Sequence, residues 1–170
     1  RQLSAIMMAD LSNKPLEQVE GLFCNEVGYQ TPKIDTRAAI FKEDKILLVQ
    51  EKNGTWSLPG GWCDVNVSVM ENTIKEVKEE AGLDVVVKNV IAIQDREKHN
   101  QPIYAYKVCK IFMLCEVEGG VFKENSETIG FDYFTKDKLS LLATKKNNEE
   151  QIQMCFDAYK AGEKWKTYFD

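Results

Sequence analysis

The chain has one histidine, His99, in 170 residues. That supply excludes His-rich zinc centres and leaves little room for a His-based catalytic triad. Five cysteines, Cys24, Cys63, Cys109, Cys115 and Cys155, include no C-x-x-C pair. An odd, dispersed set reads as reduced thiols in a cytosol, so the expected location is cytoplasmic. No apolar run approaches the roughly 20 residues that a bilayer span needs, so no membrane association is expected. The opening RQLSAIMMADLSNKPLEQ has no uninterrupted apolar stretch of the signal-peptide kind. Positive charge is also short, with 22 Lys and Arg against 27 Asp and Glu, a net charge of −5. Nonspecific affinity for nucleic acid comes from cations neutralising phosphates, so an acidic chain is a poor candidate for it. A polyphosphate substrate would have to draw most of its counter-charge from metal ions.

What the chain does have is concentrated in residues 58–83, LPGGWCDVNVSVMENTIKEVKEEAGL. A Pro-Gly-Gly turn leads into one predicted helix. Ser68 and Glu71 form S-x-x-E, a capping box, and Gly82 stands where a helix-ending glycine belongs. Met70, Ile74, Val77 and Ala81 are expected to form the apolar face. Glu76 and Glu80 lie one above the other with Glu79 beside them, on the opposite side. Like charges at that spacing repel, which a fold alone gains nothing from. A divalent cation does gain, since hard oxygen ligands at this density suit Mg²⁺ or Mn²⁺. A glutamate cluster alone is more often a solvated helix face; the glycines before and after it favour a metal site.

The rest of the chain predicts one domain of ordinary size, residues 31–170, with a helical extension over residues 1–30. Leu16, Val19, Leu22 and Phe23 recur at helical spacing after Pro15, and Gly28 closes that segment. IDTRAAIF and KILLVQ flank the turn Glu43-Asp44 as a hairpin. LDVVVKNVIAIQ reads as a strand and DREKHNQP as a polar loop. Residues 104–118 read as a long strand ending at a hairpin dipeptide, Gly119-Gly120. FDYF is a short strand, and residues 147–161 form a closing amphipathic helix. Strands in the middle with helices between and at both ends give an α/β (α+β) class.

Residues 58–83 resemble the Nudix box, G-x5-E-x7-R-E-U-x-E-E-x-G-U with U aliphatic. Gly61 matches its first glycine, and residues 75–83, KEVKEEAGL, match its second half except that Lys75 replaces Arg. Val67 stands where the first Glu belongs. The surrounding strand order fits over roughly residues 33–145. GYQTPKIDTRAAIF, DREKHNQP and the helical preface further resemble a bacterial subgroup described as ADP-ribose or CDP-choline pyrophosphatases. The resemblance implies a mixed β-sheet sandwiched between helices. It also implies hydrolysis of a nucleoside diphosphate linked to another moiety, a nucleotide-sugar-like small molecule, to NMP and a phosphorylated product. Carried over by position, Glu76 and Glu80 are metal ligands, Glu79 is a ligand or its neighbour, and the Gly60 carbonyl is a further ligand. Mg²⁺ (or Mn²⁺) usually takes one or two carboxylates and keeps waters, so three or four carboxylates imply more than one ion. Glu127, just before FDYF, is the candidate general base, with Glu124 as the fallback. Family habit implies a homodimer, with residues 1–27 as an interface.

The box departures come as a pair. In the family the first Glu and the Arg are thought to brace the loop, so Val67 and Lys75 suggest a brace lost as a unit. That predicts that Val67→Glu with Lys75→Arg raises activity more than either change alone. Arg37, Arg96, Lys98 and His99 are candidate contacts to substrate phosphate or ribose, because cations suit an anionic ligand. His99 reads first as a polar loop residue, with substrate contact as the alternative. Trp56, Tyr104, Tyr106 and Phe112 read mainly as packing, one of them suited to stacking a base. Cys63 has no histidine close in sequence to activate it. Beside the pyrophosphohydrolase stand two alternatives: a catalytically weakened nucleotide-binding module and an RNA-processing enzyme, the latter disfavoured by charge.

Overall fold

The computed structural model describes residues 2–19, 31–122 and 127–170. The chain divides into two compact units, Arg1–Thr31 and Pro32–Asp170. In the first, α1 (Gln2–Ser12) exposes Leu3, Ile6, Met7 and Leu11. Asn13 ends it at a φ of 51°, and residues 16–19 are again helical. Leu22, Phe23 and Gly28, which carry the rest of the predicted extension, lie outside the described residues, as does Glu124.

The second unit is built on a sheet whose path runs β3-β2-β1-β5-β4-β7, with β6 pairing to β2. The strands are β1 (Lys33–Lys42), β2 (Lys45–Glu51), β3 (Trp56–Ser57), β4 (Leu83–Asp95), β5 (Val108–Gly120), β6 (Thr128–Phe134) and β7 (Tyr168–Phe169). β1 runs parallel to β5, with Asp35 opposite Lys110, while β4 runs antiparallel to β5, so the sheet is mixed. Glu43 and Asp44 make the β1–β2 turn at φ 51° and 58°.

Alternation along β1 divides the interior in two. Ala38 and Ile40 point to one face, where Val77 and Ala81 of α2 (Val69–Ala81) complete a core with Leu47, Val49 and Met113. Ala39 points to the other, where Ile152, Cys155 and Phe156 of α4 (Glu149–Ala161) pack on Ile91 and Phe112. Each of the Val, Leu, Ile, Phe and Met side chains among them contributes about 1.5–3 kcal/mol when fully buried. The sheet is therefore covered by a helix on both faces, as the sequence predicted.

Of the predicted apolar face of α2, Ile74, Val77 and Ala81 pack on the core and Met70 does not. Val69, Thr73, Val77 and Ala81 face the sheet, and Met70 is 51% exposed. Thr73 is accommodated because its hydroxyl donates to the Val69 carbonyl at 2.8 Å. The cap at Ser68 is a full capping box, and Gly82 closes the helix in the left-handed region. Three boundaries also differ. Residues 96–99 form a helical turn, α3 (Arg96–His99), capped by Asp95. β5 begins at Val108, because Tyr104 and Tyr106 are held outside the sheet by ring contacts to Arg96 and Trp62. Gly119 and Gly120 are strand residues paired to Asp84 and Leu83, not a hairpin turn.

Candidate active site

The turn at residues 59–61 is pinned to β1 along its backbone. Thr36 N–H donates to Gly61 O at 2.8 Å, Ala38 N–H to Pro59 O at 2.9 Å and Cys63 N–H to Ile34 O at 2.9 Å. So close an approach requires glycine. At Gly60, φ is 143°, and a Cβ there would sit 1.9 Å from the Thr36 carbonyl oxygen. The Gly60 N–H donates to Glu80 Oε2 at 2.8 Å. A Cβ on Gly61 would lie 2.6 Å from Glu76 Oε2. Two glycines thus leave room on one side for β1 and on the other for two carboxylates of α2.

The carboxylates are not spread on a solvated face. Glu80 is 5% exposed, Glu76 is half-buried, and Glu79 alone is exposed. Burial pushes the Glu80 carboxyl up to about 7, against the Gly60 N–H and the charges of Arg37 and Lys146, which favour its ionised form. Burial also raises Glu76, against its hydrogen bond and attraction to Lys75. Lys75 joins the helix to the box loop, with Nζ 2.6 Å from Asp64, 3.3 Å from Glu76 and 3.9 Å from Glu79. Its own proton is held more tightly than usual, chiefly through Asp64. The loop is therefore still braced: Asp64, three residues before Val67, has taken the partner's place.

Thr128, at the start of β6, donates from Oγ1 to the Glu80 carbonyl at 2.7 Å. That bond ties the segment carrying Glu127 to the end of α2 that carries Glu80. Glu127 itself is exposed.

Arg37 is 4% exposed. Its Nε and Nη2 donate to Asp35 at 3.0 and 2.7 Å, and its Nη1 donates to the Leu58 carbonyl at 3.2 Å. Burial opposes its charge, but Asp35, Glu80 and Glu76 together outweigh burial and raise its pKa. Arg96 is buried too, donating to the carbonyls of Pro102 and Lys145 while its guanidinium lies 3.5 Å from the Tyr104 ring centre. Lys98 is exposed, and His99 Nε2 pairs with Asp170 at 2.5 Å. Glu76, Glu79, Glu80, Gly60 and Arg37 thus gather at the box, whereas Arg96, Lys98 and His99 share α3.

Sequence reasoning passed over Lys110, 1% exposed on β5 and 3.9 Å from Asp35. Burial, and then Arg37, bring it down to about 7. Asn100, Gln151 and Gln94 extend this buried polar group by hydrogen bonds of 2.9–3.0 Å. Trp62 was also passed over, although an aromatic directly after the Gly60-Gly61 turn was a visible signal.

The donor set fits a divalent ion. Two carboxylates raised by burial gain from a cation beside them, and a backbone carbonyl and phosphate oxygens are its usual remaining ligands. Among the described residues, no three Asp, Glu, Cys or His side chains converge on one metal position by themselves. Glu76 and Glu80 would hold such an ion at the turn.

A mixed sheet between helices, with a loop–helix that seats two carboxylates at a glycine turn, is the class of fold and site this chain presents. The NUDIX domain family matches residues 31–155, and the chain belongs to it. Nudix hydrolases generally need divalent metal ions. The chain is 43% identical over 170 residues, 99% of its length, to YjhB of Bacillus subtilis (strain 168), provisionally named an ADP-ribose pyrophosphatase; the match spans 81% of YjhB. It is similar to the crystal structure of an ADP-ribose pyrophosphatase from Streptococcus suis 89-1591, at 55% identity and a TM-score of 0.77, over 82% of this chain and all of that one. It also matches the crystal structure of a UDP-X diphosphatase at 30% identity and a TM-score of 0.79, over its full length and 82% of that chain. The protein is a Nudix hydrolase.

Proposed function

We propose that the chain is a metal-dependent pyrophosphohydrolase of ADP-ribose-like compounds, with CDP-choline next, releasing NMP and a phosphorylated moiety. The observation that carries this is the seating of Glu76 at Gly61 and of Glu80 at Gly60, both with raised proton affinity. Glu76, Glu79, Glu80 and the Gly60 carbonyl are the ligands of Mg²⁺ (or Mn²⁺), and more than one ion binds. Bound ions neutralise the diphosphate and acidify a water. Glu127 is the general base; the Thr128–Glu80 bond keeps its segment at the site. Arg37 fixes the field around Glu80 and Glu76, and Arg96, Lys98 and His99 supply the cationic turn for phosphate and ribose.

The extension forms a homodimer interface, an occupation that suits the exposed Leu3, Ile6, Met7 and Leu11 of α1. It precedes a catalytic domain spanning residues 31–170. Scattered free thiols favour a cytoplasmic location.

The test is a panel of ADP-ribose, CDP-choline and UDP-linked sugars with Mg²⁺ or Mn²⁺, with products identified. ADP-ribose is expected to yield AMP. Glu80→Gln is expected to lower turnover by more than about a hundredfold while the chain stays folded, since disturbing outer-shell partners alone costs 10–100-fold. Full turnover in EDTA, or an active Glu80→Gln, would sink the reading.

A further inference from the structure

Three aromatic rings stand beside the box and belong to neither core. Trp62 is 48% exposed, and Tyr104 and Tyr106 are part-exposed. None of them packs against the two buried clusters of the sheet. They pack instead on each other, with Trp62 meeting Tyr106 edge-on at 5.7 Å and Tyr104 lying 5.4 Å from Tyr106. Folding gives no return for leaving three large rings partly in water. The cluster therefore calls for a ligand with a flat, apolar face.

Its position says which ligand. Trp62 follows Gly61, against which Glu76 sits, so the rings begin one residue from the carboxylates. Trp62 also bridges Asp35 across the antiparallel contact between the box loop and β1. Paired residues share a sheet face, so Trp62 stands on the face of Lys33, Asp35 and Arg37, away from the core of α2. Lys33 Nζ rides over Trp62 at 4.0 Å and over Tyr106 at 5.1 Å. Arg96 stacks on Tyr104 at 3.5 Å. The ring faces thus already take planar or cationic partners at stacking distance, and two cations flank them. A flat group joined to an anion, beside clustered carboxylates, is the chemistry of a nucleotide.

We propose that Trp62, Tyr106 and Tyr104 form the platform on which the substrate's nucleobase stacks, with Lys33 swinging off the Trp62 face to meet the phosphate or ribose. The assignment rests on the reading that the box binds a nucleoside diphosphate derivative. Recognition by ring faces is tolerant of base identity, because every base has a π-face. The platform accepts purines and pyrimidines, and the larger ring stacks more tightly.

Binding of AMP, UMP and ribose 5-phosphate to the full chain in EDTA tests this without any hydrolysis. Trp62→Ala is expected to weaken AMP and UMP by about 5- to 150-fold, to leave ribose 5-phosphate unchanged, and to be largely rescued in Trp62→Phe. In turnover, KM should rise by a similar factor while kcat stays within about threefold. Tyr106→Ala reads the same platform if Trp62→Ala fails to fold. Unchanged AMP affinity in a folded Trp62→Ala, or no measurable binding of either nucleotide to the unaltered chain, overturns the platform. Trp62-dependent AMP binding without hydrolysis of any panel substrate would overturn the proposed activity and leave the platform standing. Hydrolysis with a normal KM in Trp62→Ala would do the reverse.

Discussion

Glu80 and Lys110 titrate near the same pH with opposite consequences for stability. Glu80 is raised to about 7 by burial, so between the carboxylate range and pH 7 the folded chain holds a proton that the unfolded chain has released. Its contribution is present at low pH and is lost as pH rises through 7. Lys110 is lowered to about 7, so above pH 7 the unfolded chain holds the extra proton and stability is regained toward the ordinary lysine range. In the metal-free protein these two groups together predict a stability minimum near pH 7, each limb worth about 3 kcal/mol or more at full shift. Melting curves from pH 5 to 10 check this: Glu80→Gln should flatten the acid limb and Lys110→Met the alkaline one. Gly60→Ala forces a Cβ into the Thr36 carbonyl and separates the turn from β1. It should cost about 1–3 kcal/mol by denaturant titration and lower turnover more than the fold loss explains. At this scale the ligand types were readable in the sequence, because the box spacing is local. That Glu80 is buried was not, since burial depends on how α2 rolls against β1. Trp62 and Lys110 escaped for the same reason: their meaning comes from Asp35, which each meets across the sheet.

Elements here are fixed at their ends by short side-chain devices, and these give separable predictions. Ser68→Ala removes one half of the capping box on α2 and should cost about 1 kcal/mol. Asn148→Ala should cost more. Asn148 caps α4 through the Gln151 N–H at 2.9 Å, and its amide also donates to the His99 carbonyl at 2.8 Å, joining α4 to α3. Thermal melts of the two variants decide the order. The brace between loop and helix is Asp64–Lys75, an exposed pair, so a double-mutant cycle of Asp64→Ala and Lys75→Ala should give about 0.2–1 kcal/mol of coupling that fades with salt. With Asp64 in place, Val67→Glu and Lys75→Arg should act nearly independently on kcat/KM; coupling between them should emerge in an Asp64→Ala background. Both caps of α2 were legible because each is a local pattern, Ser68 with Glu71 three residues on and Gly82 directly after the helix. The place of Thr73 on the buried face was not, because its hydroxyl is hidden on the Val69 carbonyl and it so behaves as an apolar residue. The aromatic period-2 pattern from Tyr104 onward misled for a comparable reason, partners distant in sequence outweighing β propensity.

The molecule as a whole joins two compact units, and the second holds every residue placed at the box. A chain trimmed of residues 1–31 is expected to melt cooperatively, and to elute as a monomer if the extension carries the dimer contact; light scattering of both forms decides this. The closing segment has a structural part that no local pattern announced. Asp170 accepts from the Asp95 N–H at 2.8 Å and pairs with His99, while Thr167 and Trp165 donate to the carbonyls of Val90 and Ile91 at 2.9 Å. These contacts span more than 70 residues of sequence, which is why only the fold reveals them. The alternation of β1 carries a last consequence. Along this one strand, Asp35 and Arg37 serve the charged face while Thr36 and Ala38 serve the backbone of the turn and the core of α2. The strand is read in a frame of two, like a text with two interleaved messages. Any single residue between 33 and 38 admits a substitution that spares one message, but deleting or inserting one residue there scrambles both together. Homologues of this chain should therefore vary in β1 by replacement and almost never by a change of length.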